Sequence, residues 1–385
     1  MNKWTLALAV AGIISTAAVV TAEEAENQAL TAVSGTTISG YVDVSMNWQF
    51  GDLKTSNGRS LVNNANHQNG FNVDAVKIGI GKELEEDASV WSAGYQADLI
   101  FGDLANIYSA GRLSNNIALQ NAYVDLRVPI GNGLDVRAGL FETIVGYESD
   151  DAYLNPNISR SYGYDLEPTH HGGALASYHF DLSDWILGVH AGIANTYTGN
   201  RSSDSARLAY LGALNLVFPE STGFLEGTEI YGGVVSGVDV DNRGYDAPNT
   251  ANYYAGITLP LPVTGLRLGF SYDYRHEGSD NTWDGSWADA YAAYLALDVT
   301  EKLTLANRIE YANGKAGTWT FVANDWSKED EYLSDTFTVS YKLWENVVTR
   351  AEFRWDHDLS GDHRMVDNAS RANAFGITGN IIYVF

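Results

Sequence analysis

The sequence predicts an all-β fold: a transmembrane antiparallel up-and-down β-barrel of about sixteen strands, within a range of about fourteen to eighteen, with short periplasmic turns and long extracellular loops. Three observations predict it. Residues 373–385, NAFGITGNIIYVF, alternate as strand side chains do. Phe375, Ile377, Gly379, Ile381, Tyr383 and Phe385 fall on one face, and Ala374, Gly376, Thr378, Asn380, Ile382 and Val384 on the other. One face is wholly apolar with aromatics at both ends, the other turns polar in its middle, and the length suits a steeply tilted crossing of a bilayer. Second, stretches of this kind recur along the chain with connections that alternate between short and long. Third, residues 1–22 carry Lys3, an apolar run from Leu6 to Val20 and the small-residue pattern Val20-Thr21-Ala22 before Glu23, which reads as a secretory signal cleaved near Ala22. No other stretch approaches the roughly 20 apolar residues a spanning helix needs.

Taken in order, the signal is followed by a short polar periplasmic leader, 23–36, and then by the barrel domain, 37–385. A strand in lipid must have its edge paired, so the last strand needs a partner that closes the sheet. Residues 37–50, TISGYVDVSMNWQF, give the clearest alternation in the chain and supply it. Further strands are expected at 72–82, 91–101, 118–128, 134–141, 171–180, 185–197, 207–218 and 228–238. The rest fall at 251–261, 266–274, 287–299, 303–312, 336–343 and 347–356. Short connections, such as 129–133, 300–302 and 344–346, follow even strands. Long polar ones, such as 51–70, 102–117, 143–170 and 357–372, follow odd strands. A barrel with both termini on the periplasmic side explains that alternation, whereas a sandwich or propeller gives no reason for it. The connection 219–227 is longer than the other inner turns and fits least well.

Composition agrees with this reading. The chain has 38 glycines, 23 tyrosines and 10 tryptophans but only 7 prolines, an aromatic load high for a soluble domain. With no cysteine, disulfides, thiol chemistry and thiolate metal sites are excluded. A net charge of -25 argues against nucleic acid as a partner, because phosphate contacts need clustered Lys and Arg. No cofactor is implied. Lipid is the partner of the apolar faces, and aromatics at strand ends, among them Trp48, Trp91, Trp185, Phe218 and Phe353, read as interfacial girdles.

The pieces FNVDAVKIGIGKEL, AGYQADLIFG, NAYVDLRVPIGNGLDVRAGLFETIVGYE and NPNISRSYGYDLEPTHHGGALASY, with the opening SGYVDVSMNWQFG, resemble the OmpL-like β-barrel porins of the Gram-negative outer membrane. The likeness covers most of the mature chain and is densest between residues 37 and 200. It implies a porin fold in the outer membrane and a water-filled channel for passive diffusion of small polar or charged solutes. It also implies recognition of Phe385 by the barrel-insertion machinery and, by similarity to general porins, a homotrimer.

For a pore, chemistry means the charge and width of the narrowest part. The third long connection, 143–170, carries Glu148, Asp150, Asp151, Asp165 and Glu167 against Arg160, with tyrosines interleaved. It reads either as a solvated outer loop or as a loop folded into the lumen to form a constriction. Arg127 and Arg137, on the strands leading into it, form a basic wall that could face those acids. Strand charges in general, including Lys77, Arg207, Arg308, Glu310, Arg350, Glu352 and Arg354, fall on lumenal faces, which the cost of charge in lipid already requires. Other classes stay open: a substrate-specific channel using inward Tyr41, Tyr95, Tyr123, Tyr231 and Tyr254, an adhesin acting through its loops, and a hydrolase at the rim. For the last, His170 and His171 adjoin Glu167 but point to opposite faces of a strand, which leaves Glu167 with His171 as a rim pair, and no phosphate loop or metal spacing supports an enzyme.

Overall fold

The computed structural model describes residues 35–50, 69–108, 111–198, 208–240, 246–278, 285–316, 318–319, 329–361 and 372–385. Residues 1–22, read from the sequence as a secretory signal, most of 23–36 and Arg207 lie outside them. Seventeen strands form one sheet: β1 (Thr37–Phe50), β2 (Gly70–Lys82), β3 (Ser92–Phe101), β4 (Arg112–Ser114), β5 (Ile117–Val128), β6 (Leu134–Glu142), β7 (His170–Leu182), β8 (Trp185–Ala194) and β9 (Ala209–Val217). The sheet continues with β10 (Glu229–Val240), β11 (Asp246–Pro260), β12 (Leu266–Glu277), β13 (Ser286–Asp298), β14 (Leu303–Gly314), β15 (Asp330–Trp344), β16 (Val347–Asp358) and β17 (Asn373–Val384). β4 is a short hairpin strand laid on β5. The remaining sixteen run antiparallel, each beside its neighbours in chain order, and the sheet closes through β1 and β17.

Closure follows from the two stretches whose alternation is clearest. Val44 lies opposite Ile381 and Trp48 opposite Ile377 on the outer face, while Ser45 faces Asn380 and Asn47 faces Thr378 within. The seam ends on the carboxyl residue, where Phe385 and Gly40 exchange two backbone hydrogen bonds of 2.9 Å. Among the described residues each long strand is thus laddered to a neighbour on both sides, as lipid demands of a spanning sheet.

The strands begin and end within a few residues of the sequence expectation, but several reach further on the long-loop side. β11 starts at Asp246 and β15 at Asp330, because the ladders 246–250 and 330–335 keep pairing after the apolar face has ended. The long inner connection after β9 is explained by a 3-10 helix, Glu220–Leu225, which takes up the extra residues.

Inside and outside are chemically distinct. Ile38, Trp48, Leu214, Phe270, Ile309, Phe353 and Ile381 are exposed on the outer face, whereas Asp43, Asp98, Asp273, Arg308, Glu310, Glu352 and Arg354 are buried within. Aromatic rings pack at a tilt between neighbouring outer positions, Tyr272 against Tyr291 at 4.8 Å and Trp185 against Phe218 at 4.6 Å, in the amphipathic belts that suit a headgroup boundary. Three apolar clusters fill parts of the interior. One joins Phe141, Ile144, Val145 and Tyr231; a second joins Tyr41, Leu104, Tyr108 and Ala152; the third joins Tyr162, Leu166, Trp319 and Tyr332. Each contains residues of the connection 143–169, so the interior is organised around that loop.

Candidate functional site

The third outer loop, 143–169, leaves β6 and returns to β7 with its base closed by a 2.9 Å bond from the Thr143 amide to the Thr169 carbonyl. Between those points it lies inside the barrel. Glu148, Asp150, Asp151 and Arg160 are all buried, as are Tyr162 and Tyr164, so the solvated outer-loop reading does not hold for these residues. Asp165 is the exception and stays exposed.

Local chemistry shapes the loop before the wall holds it. Ser149 and Asn155 exchange two 2.8 Å bonds, from the Ser149 amide to Asn155 Oδ1 and from Asn155 Nδ2 to the Ser149 carbonyl, which pinch off a 3-10 turn, Ala152–Leu154. Arg160 Nη2 donates to the Asp150 carbonyl at 2.5 Å while its guanidinium sits 4.9 Å above the Tyr164 ring. The Tyr164 hydroxyl donates to Asp150 Oδ1 at 2.6 Å. Gly146 adopts φ 108°, and a Cβ there would lie 1.9 Å from Glu167 Oε2, so the tight entry to the loop requires glycine.

The far wall then fixes the loop. Glu352 on β16 accepts the amides of Ile158 at 2.6 Å and Ser159 at 2.9 Å, and Glu310 on β14 accepts the Tyr162 amide at 2.7 Å. Arg308 on β14 donates to Glu148 at 2.7 Å and to the carbonyls of Ser159 and Arg160 at 2.7 and 2.9 Å. Arg354 also reaches the Arg160 carbonyl, at 2.6 Å, and Arg350 the carbonyls of Ala152 and Asn155, at 3.0 and 3.2 Å. On the near side Lys77 donates to Asp151 at 2.7 Å, with Gln120 and Tyr41 on the same carboxylate. Most of these buried charges are tolerated because each is paired with an opposite charge or bonded to loop backbone.

The expected wall of Arg127 and Arg137 is a correction. Arg127 is bound to Asp135 at 2.6 and 2.7 Å and to the Glu85 carbonyl, near the inner turns; Arg137 is bound to Asp125 by two 2.8 Å contacts and stacks on Tyr123 at 3.8 Å. Each is held by an acid of the β5–β6 hairpin it stands on, and Arg127 also by the Glu85 carbonyl of the turn after β2. The wall that meets the loop is instead Arg308, Arg350 and Arg354 with Lys77, residues whose lumenal face is legible but whose partners are not. A signal for them exists: Arg350, Glu352, Arg354 and Asp356 alternate in charge along one face of β16, a ladder made for polar groups crossing between them.

Electrostatics differ among the loop carboxyls. Burial and the Glu142 charge push Asp150 up to about 8. Burial acts on Asp151 too, but the Lys77 ammonium and three hydrogen bonds outweigh it and hold Asp151 below the usual carboxylate range. Glu167 is raised well above its ordinary value by burial and by Asp273, to which it is hydrogen-bonded. Glu167 therefore does not meet His171, whose Nε2 lies 3.0 Å from Thr143 Oγ1. Of the inward tyrosines, Tyr41 and Tyr231 bind the loop, at Asp151 and at the Ile144 carbonyl. On the short-turn side of the loop a cavity of about 530 Å³ opens between Tyr147, Tyr153, Tyr294, Arg267, Lys342 and Arg350.

A closed barrel that is apolar toward lipid and charged within, its lumen crossed by a long inturned loop, defines a class: the diffusion channels of the outer membrane. The chain belongs to the family described as "Putative beta-barrel porin-2, OmpL-like", which matches residues 35–385. Its fold is also that of solved porins of low sequence identity. An anion-selective porin from Comamonas acidovorans is 10% identical with a TM-score of 0.59, covering 91% of this chain and 99% of that one. OmpF of Salmonella typhi, in complex with daunomycin, is 12% identical with a TM-score of 0.56, covering 91% and 97%. OmpT of Vibrio cholerae in trimer form is 14% identical with a TM-score of 0.55, covering 91% and 99%. No curated protein is significantly similar in sequence.

Proposed function

We propose that loop 143–169 is the constriction of this porin, and that its acids and the arginines of β14 and β16 set which small polar or charged solutes diffuse through. The observation that carries the reading is the direct bonding of the loop to the opposite wall at Glu352, Glu310 and Arg308. Fixed charges of both signs at the narrowest level create a transverse field in a low-dielectric sleeve, which orients a dipolar solute during passage. Acids outnumber bases there, since Glu148, Asp151, Glu310, Glu352 and Asp356 face Lys77, Arg160, Arg308, Arg350 and Arg354 with Asp43 and Asp98 close by; the passage accordingly favours cations. In this reading conduction needs no cofactor and no catalysis, the signal is removed near Ala22, and the barrel works as a homotrimer. The separation of Glu167 from His171 weighs against a rim hydrolase.

Single-channel conductance and reversal potential of the folded mature chain in a planar bilayer test the reading. Stepwise opening with a cation-favouring reversal potential that weakens in Glu148→Gln and Asp151→Asn supports both pore and constriction. Opening that ignores those substitutions keeps the porin and discards the constriction. Well-folded protein without conductance would shift the weight to an adhesin acting through its outer loops.

A further inference from the structure

We propose that Glu142, Asp150 and His170 bind one divalent cation of the zinc class, which clips the third loop to the hairpin from which it springs. The site itself stands on geometry alone; only its consequence for conduction rests on the constriction reading above. Glu142 is the last residue of β6 and His170 the first of β7, and the two face each other in register. Asp150 comes from within the loop. One ligand atom of each residue lies within 4.8 Å of the other two.

The second observation is a set of buried polar atoms without hydrogen bonds. Asp150 and His170 are 5% and 1% exposed. Asp150 Oδ1 accepts the Tyr164 hydroxyl, which turns Oδ2 toward His170, 3.3 Å from Nδ1, but the two atoms are not aligned for a hydrogen bond. His170 Nε2 has no hydrogen-bond partner either, among the described residues. Buried polar atoms are ordinarily bonded, so an imidazole and a carboxylate oxygen converging unbonded mark a missing partner. The imidazole plane is set from outside the cluster by the Tyr108 ring, edge-on at 4.8 Å and 88°. A cavity of about 40 Å³ adjoins Glu142 and Asp150 on the side away from His170, room for a water bound to the cation.

The donor set names the class. An imidazole with two carboxylates suits Zn²⁺ and similar borderline ions, while Ca²⁺ and Mg²⁺ prefer cages of oxygen alone. Tyr164 acts here as a positioning residue, because its hydroxyl orients Asp150 without belonging to the donor set. A proton held between Asp150 and His170 is the rival that could satisfy the same atoms.

The test is calorimetric titration of the metal-stripped, folded mature chain in detergent with ZnCl₂, and separately with MgCl₂. Asp150→Asn, His170→Asn and Tyr164→Phe are run beside it, and folding of each is checked by the heat-dependent shift of barrels in electrophoresis. One Zn²⁺ per chain is expected, with Mg²⁺ far weaker. Binding should fall at least about tenfold in Asp150→Asn and His170→Asn, and less in Tyr164→Phe. Folded wild type that takes up no stoichiometric zinc, or variants that bind it as the wild type does, overturn the site; the first result would favour the shared proton. Conductance is recorded on the same samples. A barrel that conducts but binds no zinc loses only this site, and one that binds zinc without conducting loses only the pore.

Discussion

Arg308 on β14 and Glu148 in the third loop meet at 2.7 Å, 160 residues apart in the chain and with both side chains closed off from solvent. The same guanidinium holds Glu310 at 2.7 Å and two loop carbonyls, so one side chain joins wall, loop acid and loop backbone. Removing it leaves a buried carboxylate and two carbonyls short of a donor. Arg308→Gln should therefore cost about 3–5 kcal/mol, read as a lower urea midpoint in lipid vesicles, and should give noisier, larger conductance as the loop loosens. Glu148→Gln should cost less, because Arg308 keeps Glu310 and an amide oxygen still accepts. Equal midpoints for Arg308→Gln and wild type would show that the pair does not hold the loop.

Charge selectivity follows from a different pair. Lys77 and Asp151 neutralise one another across 2.7 Å on the near side of the loop. Asp151→Asn leaves the Lys77 ammonium unopposed by its nearest acid, so the reversal potential under a salt gradient should move toward anions. Lys77→Met should move it the other way, toward cations. The shifts should shrink in concentrated salt as the screening length contracts to about 3 Å at 1 M. Shifts of the same sign from both substitutions would separate the pair from the path of the ions.

How much of this was legible in the sequence has a physical division. The barrel was legible because lipid imposes a rule on every strand: Ile309 must face out and Arg308 in, and a period of two records that choice directly. Closure was legible from the alternation of residues 37–50 and 373–385. The inturned loop was readable only as one of two courses for an acidic, aromatic connection, because its path depends on contacts 148 to 198 residues distant, such as Tyr162 with Glu310 and Arg350 with Ala152. Local periodicity carries nothing about such pairings. Arg127 and Arg137 misled because adjacency in sequence to the loop is not adjacency in space: Arg127 faces Asp135 across the hairpin, at the end away from the loop.

Glu167 gives the loop a pH dependence. It is hydrogen-bonded to Asp273, and its carboxyl is held protonated well above the ordinary range by burial and that neighbour. A carboxyl whose native value is raised adds stability that is complete below its unfolded value, about 4.3, and is lost as pH rises through the native one. Loop docking should thus weaken toward alkaline pH, with the urea midpoint falling and current noise rising. Glu167→Gln, which keeps the donor and cannot ionise, should flatten that part of the profile. A wild-type midpoint that climbs with pH over the same range would contradict the assignment.

Gly269 on β12 makes room for the loop. A Cβ there would stand 1.9 Å from the Tyr147 hydroxyl, which is held by Thr258 at 3.1 Å while its ring stacks on Tyr294 at 4.0 Å and 12°. Gly269→Ala must displace that ring, at a cost of about 1–3 kcal/mol by analogy with overpacked cores. Because Tyr147 lines the 530 Å³ cavity, unitary conductance should change as well. Tyr147→Ala removes the clash, so the double variant should lose much less than the sum of the single ones. Additive losses would mean that Gly269 matters for the strand and not for the ring.

The orientation of the whole sheet can be tested on one strand. Ile309 sits near the middle of β14, half exposed on the outer face, directly after Arg308, which is fully buried inside. Thr304 lies on the inner face of the same strand, borders the 530 Å³ cavity and donates to Asp298 at 2.7 Å. A lysine facing lipid at mid-depth has neither water nor a counter-charge, so Ile309→Lys should cost about 2–4 kcal/mol and slow membrane insertion. A lysine at Thr304 stays in the aqueous lumen beside an aspartate and should cost less than about 1 kcal/mol, while making the channel less cation-favouring. The contrast between the two midpoints reads out which face meets lipid, independently of any conductance. Were the costs reversed, the faces of β14 would be exchanged, and with them the placement of Arg308 and Glu310 against the third loop.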